Sequence, residues 1–198
     1  MINHEPSNND WLQTFTAKRF YPMAPRSEDV DIRDIAHGLS QICRFSGQCR
    51  DFYSVAEHSV IVAGQVALKA PSDYWQQLRA LLHDASEAYL LDIPRPVKLL
   101  IPNYKEAENR VSLVIAEALH IPGEGKDTEL INSIDKKIVA DEVIALMSNP
   151  DLDLVRLGVA PEDRLNASIY KWVPKQAEIN FLTAYKTLLI KLSNSVGT

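Results

Sequence analysis

An imidazole and two carboxyl groups, those of His83, Asp84 and Glu87, lie within the leucine- and alanine-rich stretch "RALLHDASEAYL". The apolar spacing predicts a helix on which His83 and Glu87 are one turn apart, so the three polar groups share a surface. Burying an imidazole and a carboxylate without partners is costly, and a divalent cation would offset that cost. Such ligands suit zinc, manganese, iron or cobalt. A hydrogen-bonded His–Asp pair explains the same residues without a metal, so this stretch alone leaves both interpretations open.

Two other segments carry groups that could complete a metal site. His58 lies in the first turns of a predicted helix that directly precedes the His–Asp helix, and consecutive helices are usually neighbours. In a predicted helix at 128–147, the apolar positions define one face, and Asp135 and Glu142 fall inside it. Asp141 falls beside that face and is expected to be solvated. Periodicity therefore favours Asp135 as the inward-pointing carboxylate, with Asp141 as the alternative.

The elements that must position these groups are predicted to be helices. Ser54 and Glu57 form the Ser-x-x-Glu pattern of a capping box, so the helix of His58 should begin at Ser54. Ser72 is the predicted N-cap of the next helix, which should run through the His–Asp pair and end before two prolines. Because strand signals are sparse and no heptad is sustained, the expected class is all-α, an irregular orthogonal bundle of six or more helices. Further helices are predicted near 32–43, from about 102 to 119, and from Pro174 onwards.

Length and composition limit the function classes. The chain has 198 residues, 46% of them hydrophobic and 24% charged, which fits a single globular domain over 1–198 with its motifs at about 31–147. The net charge of -5 argues against a nucleic-acid polymer as partner. No apolar run approaches the ~20 residues of a membrane span, and no signal peptide is recognisable. We therefore expect a cytoplasmic protein with no membrane partner, in which Cys43 and Cys49 are reduced.

Three longer blocks extend the pattern: "ICRFSGQCRDFYSVAEHSV", "LLHDASEAYLLDIPRPVKLLIPNYKEAE" and "IDKKIVADEVIALM". Together they resemble the HD-domain superfamily of metal-dependent phosphohydrolases. They are most similar to the branch that includes bacterial 5'-nucleotidases acting on deoxynucleoside monophosphates, and to related prophage proteins. The resemblance covers roughly Asp31 to Met147. It implies an all-α fold and one divalent metal ion, and, since relatives are often dimers, a homodimer.

The resemblance also implies a role for individual residues. Glu87 matches the family's glutamate three positions after the His–Asp pair, and Asp92 in "DIPRPVK" matches an aspartate that precedes a similar proline motif. Arg44 matches the arginine upstream of the first ligand histidine. The seven-residue spacing of Asp135 and Glu142 agrees with the related prophage proteins. The implied metal ligands are His58, His83, Asp84 and Asp135.

The expected function is metal-dependent hydrolysis of a nucleotide phosphoester, most simply of a (deoxy)nucleoside 5'-monophosphate to nucleoside and phosphate. The ion (Mn, Co, Mg, Zn or Fe) would act as a Lewis acid. Glu87 would handle a proton, and Asp92 would contact the sugar or act as the general acid. Arg44 and Lys98 would neutralise phosphate charge, while His37 is expected to be structural. The alternatives are a deoxynucleoside triphosphate triphosphohydrolase, a non-catalytic metal-containing nucleotide-binding module, and a purely structural helical domain.

Overall fold

The computed structural model describes residues 10–122, 128–158, 160 and 164–196, and it is mainly helical, as predicted. A short antiparallel hairpin, β1 (Leu12–Gln13) and β2 (Arg19–Phe20), comes before the helices. The two ends of the expected 1–198 domain lie outside the described residues. The same is true of His4, for which we expect a surface position. The helices are α1 (Ile32–Gln41), α2 (Val55–Lys69), α3 (Tyr74–Leu82), α4 (Glu87–Leu90), α5 (Arg95–Lys98), α6 (Tyr104–Ala118), α7 (Glu129–Leu146), α8 (Pro150–Leu157) and α9 (Pro174–Val196).

The centre of the bundle is α2, which packs against α1, α3, α7 and α9. The expectation that the helix of His58 and the next helix are neighbours is therefore confirmed. α8 packs on α7 through a smaller apolar cluster that includes Val143 and Leu154. Since α2 is enclosed by its neighbours, polar side chains in its first turns are removed from water. Fully buried members of the main core include Leu39, Val62, Leu81, Ile138 and Phe181.

The start of α2 is confirmed, because the Ser54 hydroxyl accepts a hydrogen bond from the Glu57 backbone N–H at 3.1 Å. The start of α3 differs from the prediction by one residue. Its N-cap is Asp73 rather than Ser72, and the Asp73 carboxylate accepts from the Gln76 backbone N–H at 2.9 Å. The second carboxylate oxygen accepts from the Gln76 side chain at 3.1 Å. The Asp73 carboxylate therefore accepts two hydrogen bonds at this cap.

The single helix expected across the His–Asp pair is wrong. α3 ends at Leu82, residues 83–86 form a turn, and α4 begins at Glu87. In this turn the N–H groups of Ala85 and Glu87 donate to carbonyls three residues back, those of Leu82 and Asp84, at 3.0 and 2.9 Å. Such bonds tighten the backbone relative to an α-helix. The His–Asp pair therefore lies at the carboxyl end of α3, not in the middle of a helix.

The structure bears on two further expectations, which concern membrane-spanning helices and the two cysteines. Within the described ranges, none of the helices has the length and apolar character that a membrane span requires. Cys43 and Cys49 are free thiols, as predicted, and their Sγ atoms lie 3.6 Å apart.

Candidate metal centre

Four side chains from three segments of the fold converge at one point: His58 from α2, His83 and Asp84 from the end of α3, and Asp135 from α7. His58 Nε2 lies 3.2 Å from His83 Nε2, 3.5 Å from Asp84 Oδ2 and 3.1 Å from Asp135 Oδ1. His83 Nε2 lies 3.2 Å from Asp84 Oδ2 and 3.8 Å from Asp135 Oδ1. Ligand atoms of the two histidines and Asp84 all lie within 4.8 Å of one another, close enough to share an ion. We call these four residues the His–Asp cluster.

The outer nitrogens of both imidazoles determine what the inner nitrogens can do. His58 Nδ1 lies 2.6 Å from Glu142 Oε1, and His83 Nδ1 lies 2.8 Å from the Ala80 carbonyl oxygen. A carbonyl and an ionised carboxylate only accept hydrogen bonds, so each Nδ1 carries the hydrogen. In the neutral imidazoles, both Nε2 atoms then direct lone pairs into the same small space. A cation placed there would bind both nitrogens.

The separation of the two Nε2 atoms fits one metal ion. With ligand bonds of about 2.1 Å, nitrogens on a shared ion would be about 3.0–3.4 Å apart for angles between octahedral and tetrahedral. The observed 3.2 Å falls in that range. Two imidazoles with carboxylates form a donor set that suits zinc, manganese, iron or cobalt. The residues present therefore fit a divalent metal.

The charges of the His–Asp cluster also favour a cation. Burial lowers the pKa of both histidines, but the surrounding carboxylates outweigh burial, so both pKa values are raised. Burial raises the pKa of Asp84, yet the neighbouring imidazoles lower it to about 2. The pKa of Asp135 is lowered for the same reason. Both carboxylates are therefore ionised at neutral pH and present negative charge to the centre of the cluster.

The two candidate aspartates of α7 have different partners. Asp135 places Oδ1 against both imidazoles, although its side chain remains 41% exposed. The expectation that Asp141 is solvated is wrong: it is buried, and it accepts from Arg164 Nε at 3.0 Å and from the Leu165 N–H at 2.9 Å. Periodicity could not anticipate a segment 23 residues further along that packs on this side of α7. Asp141 is thus committed to that segment, and Asp135 is the α7 carboxylate at the cluster.

Glu142 connects several groups around the site, a role that the sequence analysis missed. It is fully buried, and Oε1 accepts from His58 Nδ1 at 2.6 Å and from the Tyr53 hydroxyl at 2.9 Å. Burial raises the pKa of Glu142, but Arg44 and His58 outweigh burial and the net shift is downward, so the carboxylate is ionised. Its two-turn spacing from Asp135, on the same helix face, was the available signal. Nothing in the sequence pattern indicated Tyr53.

Arg44 lies in the loop after α1 and contacts both Asp84 of the cluster and Glu142 beside it. Nη1 lies 3.5 Å from Asp84 Oδ2, and Nη2 lies 3.2 Å from Glu142 Oε2. Burial alone would lower the pKa of Arg44, but the charges of these two carboxylates raise it by more. The net shift is upward, so the guanidinium stays charged. Its Nε is buried and has no hydrogen-bond partner among the described residues. Arg44 therefore retains a donor for an additional acceptor.

Glu87 and Asp92 are carboxyl groups next to the cluster, and the pKa of each is raised. Burial, reinforced by the charges of Asp84 and Asp92, raises the pKa of Glu87 to about 10. Its Oε2 has no hydrogen-bond partner in the described part of the chain. Burial also raises the pKa of Asp92. Without a bound ion, Glu87 is therefore protonated at neutral pH and can act as a proton donor.

Two other residues considered in the sequence analysis have partners outside the cluster. Lys98 Nζ lies 2.6 Å from Glu108 Oε1 and 3.8 Å from Glu87 Oε1, so its binding of phosphate stays a prediction. His37 stacks on Phe15 with ring centroids 3.9 Å apart, and its Nδ1 lies 3.3 Å from Glu178 Oε2. These contacts agree with the structural role expected for His37.

Comparison with known proteins gives relatives without an assigned function. No family model matches the chain. The chain is 43% identical over 112 residues to the uncharacterized protein YfdR of Escherichia coli K12, a match that covers 57% of this chain and 60% of that protein. It is 38% identical over 117 residues to an uncharacterized protein of Rhodobacter capsulatus, covering 57% of this chain and 59% of that protein. The matches thus span about 60% of the length of these curated relatives.

Proposed function

We propose that this protein is an HD-domain metal-dependent phosphohydrolase that cleaves a (deoxy)nucleoside 5'-monophosphate to nucleoside and phosphate. The observation that carries the proposal is the His–Asp cluster, whose donor atoms could hold a metal ion, with the buried carboxyl group of Glu87 beside it. Both Nε2 atoms of the His–Asp cluster are directed at one position, and Glu87 Oε2 is buried without a hydrogen-bond partner among the described residues.

Each group then has a defined part in the hydrolysis. His58, His83, Asp84 and Asp135 would hold a divalent ion, which would supply a Lewis acid for a phosphate oxygen and would lower the pKa of a water molecule. Arg44, whose Nη1 lies 3.5 Å from Asp84 Oδ2, neutralises phosphate charge. The water oxygen bonds to phosphorus, and the bond between phosphorus and the ester oxygen breaks. Glu87 gives its proton to that leaving oxygen, and the proton lost by the attacking water restores Glu87.

A release assay tests this proposal. The purified protein is stripped of metal, reloaded separately with Mn, Co, Mg or Zn, and incubated with nucleoside 5'-monophosphates and triphosphates. We expect metal-dependent release of inorganic phosphate from monophosphates, and a Glu87→Gln variant that binds metal but does not turn over. Release of tripolyphosphate from triphosphates would favour the triphosphohydrolase alternative. Nucleotide binding without release under any metal would identify a binding module.

A further inference from the structure

Cys43 and Cys49 lie on either side of the short loop that carries Arg44, and their thiols are in contact. The two Sγ atoms are 3.6 Å apart, and both side chains are partly buried. A disulfide bond is about 2.05 Å long, so the two sulfurs are about 1.5 Å further apart than that bond requires. The chain contains two cysteines in all, so an intramolecular disulfide in this protein joins these two residues.

Both thiols are attached to backbone that is fixed to a helix of the candidate metal centre. Cys43 forms an antiparallel bridge with Ser54, the N-cap of α2. Cys49 precedes Arg50, whose backbone N–H donates to the Leu146 carbonyl oxygen at the end of α7 at 2.8 Å. The thiol pair therefore lies between the start of α2 and the end of α7, which both contribute side chains to the His–Asp cluster.

The residues between the two thiols have little freedom to absorb a movement of the sulfurs. Phe45 and Ser46 have φ angles of 56° and 53°, in the left-handed region that residues with a Cβ rarely occupy. Such a conformation is strained and persists because the surrounding structure enforces it. A closer approach of the sulfurs should therefore be transmitted to Arg44, which directly follows Cys43.

Arg44 contacts both the thiol pair and the groups around the metal centre. Its carbonyl oxygen accepts a hydrogen bond from the Cys49 thiol at 3.8 Å, and its guanidinium lies 3.5 Å from Asp84 and 3.2 Å from Glu142. A disulfide sulfur carries no hydrogen, so oxidation removes the thiol donor from the Arg44 carbonyl. Pairing of the sulfurs thus changes the contacts of the backbone that positions the guanidinium.

We propose that Cys43 and Cys49 form a reversible redox modification site, at which a disulfide displaces Arg44 and weakens phosphate binding at the cluster. The oxidant is a small-molecule disulfide such as glutathione disulfide. Strained disulfides are reduced more readily than relaxed ones, so a thiol reductant reverses the change. For the weakened phosphate binding, this inference rests on the proposed function, whereas the disulfide and the displacement of Arg44 do not depend on it.

The environments of the two sulfurs set the order of attack. Burial, together with the contact with Cys43, raises the pKa of Cys49 to about 11. Cys49 is therefore a thiol at neutral pH, and because a thiolate is the nucleophile, attack on the oxidant is assigned to Cys43. Once Cys43 is bonded to glutathione, its thiol no longer raises the pKa of Cys49, which makes Cys49 available for the second step.

The reaction consists of two thiol–disulfide exchanges. The Cys43 thiolate bonds to one sulfur of glutathione disulfide, the bond between the two glutathione sulfurs breaks, and one glutathione leaves as a thiolate. Cys49 gives its proton to that thiolate, its sulfur bonds to Cys43 Sγ, and the second glutathione leaves with the proton that Cys43 lost. The two cysteines lose two hydrogens and two electrons in total, and glutathione disulfide is reduced to two molecules of glutathione.

Mass spectrometry of the full chain after incubation with glutathione disulfide tests the pairing. We expect wild type to lose two hydrogens, to retain no glutathione and to yield a peptide that joins Cys43 to Cys49. Cys49→Ala should retain one glutathione on Cys43, whereas Cys43→Ala should stay unmodified. Dithiothreitol should restore the original mass of wild type. Wild type that stays reduced, or that retains glutathione, would overturn the proposal.

Two further measurements follow the consequence for Arg44 in the magnesium-loaded protein. The Arg44 Nε–H signal in ¹H–¹⁵N NMR spectra, assigned by its absence in Arg44→Lys, should shift when wild type is oxidised. The dissociation constant of inorganic phosphate should rise about tenfold, the loss expected for one hydrogen bond between charged groups. In Cys43→Ala treated with the same oxidant, the signal should not move and the dissociation constant should stay within about twofold.

The outcomes separate this inference from the proposed function. The mass and the Arg44 signal are recorded without phosphate or substrate. A disulfide that shifts the Arg44 signal therefore supports the inference even if the protein neither binds nor releases phosphate, a result that would count against the proposed function alone. If the reduced protein binds phosphate, a disulfide that leaves either the signal or the phosphate affinity unchanged would overturn the inference while the proposed function stands.

Discussion

Asp141 and Glu142 are neighbours in the sequence and both are buried, yet their carboxylates bind different partners. The Asp141 carboxylate binds Arg164 and the Leu165 N–H, whereas the Glu142 carboxylate binds His58 Nδ1. Only Glu142 acts on an imidazole of the His–Asp cluster, because its charge fixes the hydrogen on Nδ1 and leaves Nε2 free to bind an ion. The pair therefore offers a matched comparison at the level of single residues.

Glu142→Gln should weaken metal binding about 10- to 100-fold, the range for groups that orient a ligand histidine. The amide keeps the shape of the side chain but removes the charge that faces His58 and Arg44. Metal affinity is measured by competition with a chromophoric chelator. Asp141→Asn is the control: it should lower the unfolding temperature but leave the affinity within about twofold. Equal losses of affinity in the two variants would contradict the role assigned to Glu142.

Glu87 gives a second prediction at this scale, because its pKa is raised from 4.5 to about 10. A carboxyl group with a raised pKa in the folded state contributes stability that is fully present below its unfolded pKa and is lost as pH rises towards the folded pKa. Glutamine at this position does not titrate. The free energy of unfolding of wild type should therefore fall relative to that of Glu87→Gln as the pH rises from about 5 to about 9. Urea unfolding of the metal-free proteins at several pH values measures the difference, and a constant difference across that range would show that Glu87 is not buried as an acid.

At the scale of elements, the cluster depends on where α2 begins. Ser54 caps this helix and His58 lies in its first turns, so loss of the cap should loosen the backbone that carries the histidine. Ser54→Ala should destabilise the protein by about 1 kcal/mol and weaken metal binding. Asp73→Ala removes the equivalent cap of α3, nine residues before the end of that helix, and should cost similar stability without loss of affinity. Chemical denaturation and metal titration of both variants provide the comparison.

Local signals explain which elements were predictable. The starts of α2 and α7 follow from Ser54 and Thr128, because a cap and its helix are adjacent in sequence. The turn at 83–86 was not predictable, since apolar spacing continues through it and only the tighter hydrogen bonding reveals the break. The four residues of the His–Asp cluster could be named from the sequence, because they follow helix periodicity or lie in the motifs on which the resemblance rests. Glu108 could not be named as the partner of Lys98, because it lies on a separate helix.

At the scale of the whole molecule, the segment at 164–172 holds together the two helices that face each other across the cluster. Asp141 of α7 binds its beginning, at Arg164 and Leu165. Glu57 of α2 binds its end, accepting from three successive backbone N–H groups, those of residues 170–172, at 2.7, 2.8 and 2.6 Å. The two buried carboxylates therefore fix α2 and α7 to one segment without contacting the cluster, so the bundle can place the ligands before an ion binds.

An ion that joins α2, the end of α3 and α7 should stabilise the folded chain, because the unfolded chain holds these ligands far apart. At a free metal concentration of about 100 times the dissociation constant, the gain is about 2.7 kcal/mol. For a chain of this size, that corresponds to a rise of roughly 5–10 °C in Tm. Thermal unfolding with and without a chelator measures the shift. Asp84→Ala should abolish it, whereas Asp51→Ala, which removes an exposed carboxylate paired with Lys171, should retain it in full. A wild-type Tm that does not respond to chelation or to any of the metals would mean that the facing imidazoles share a proton rather than an ion.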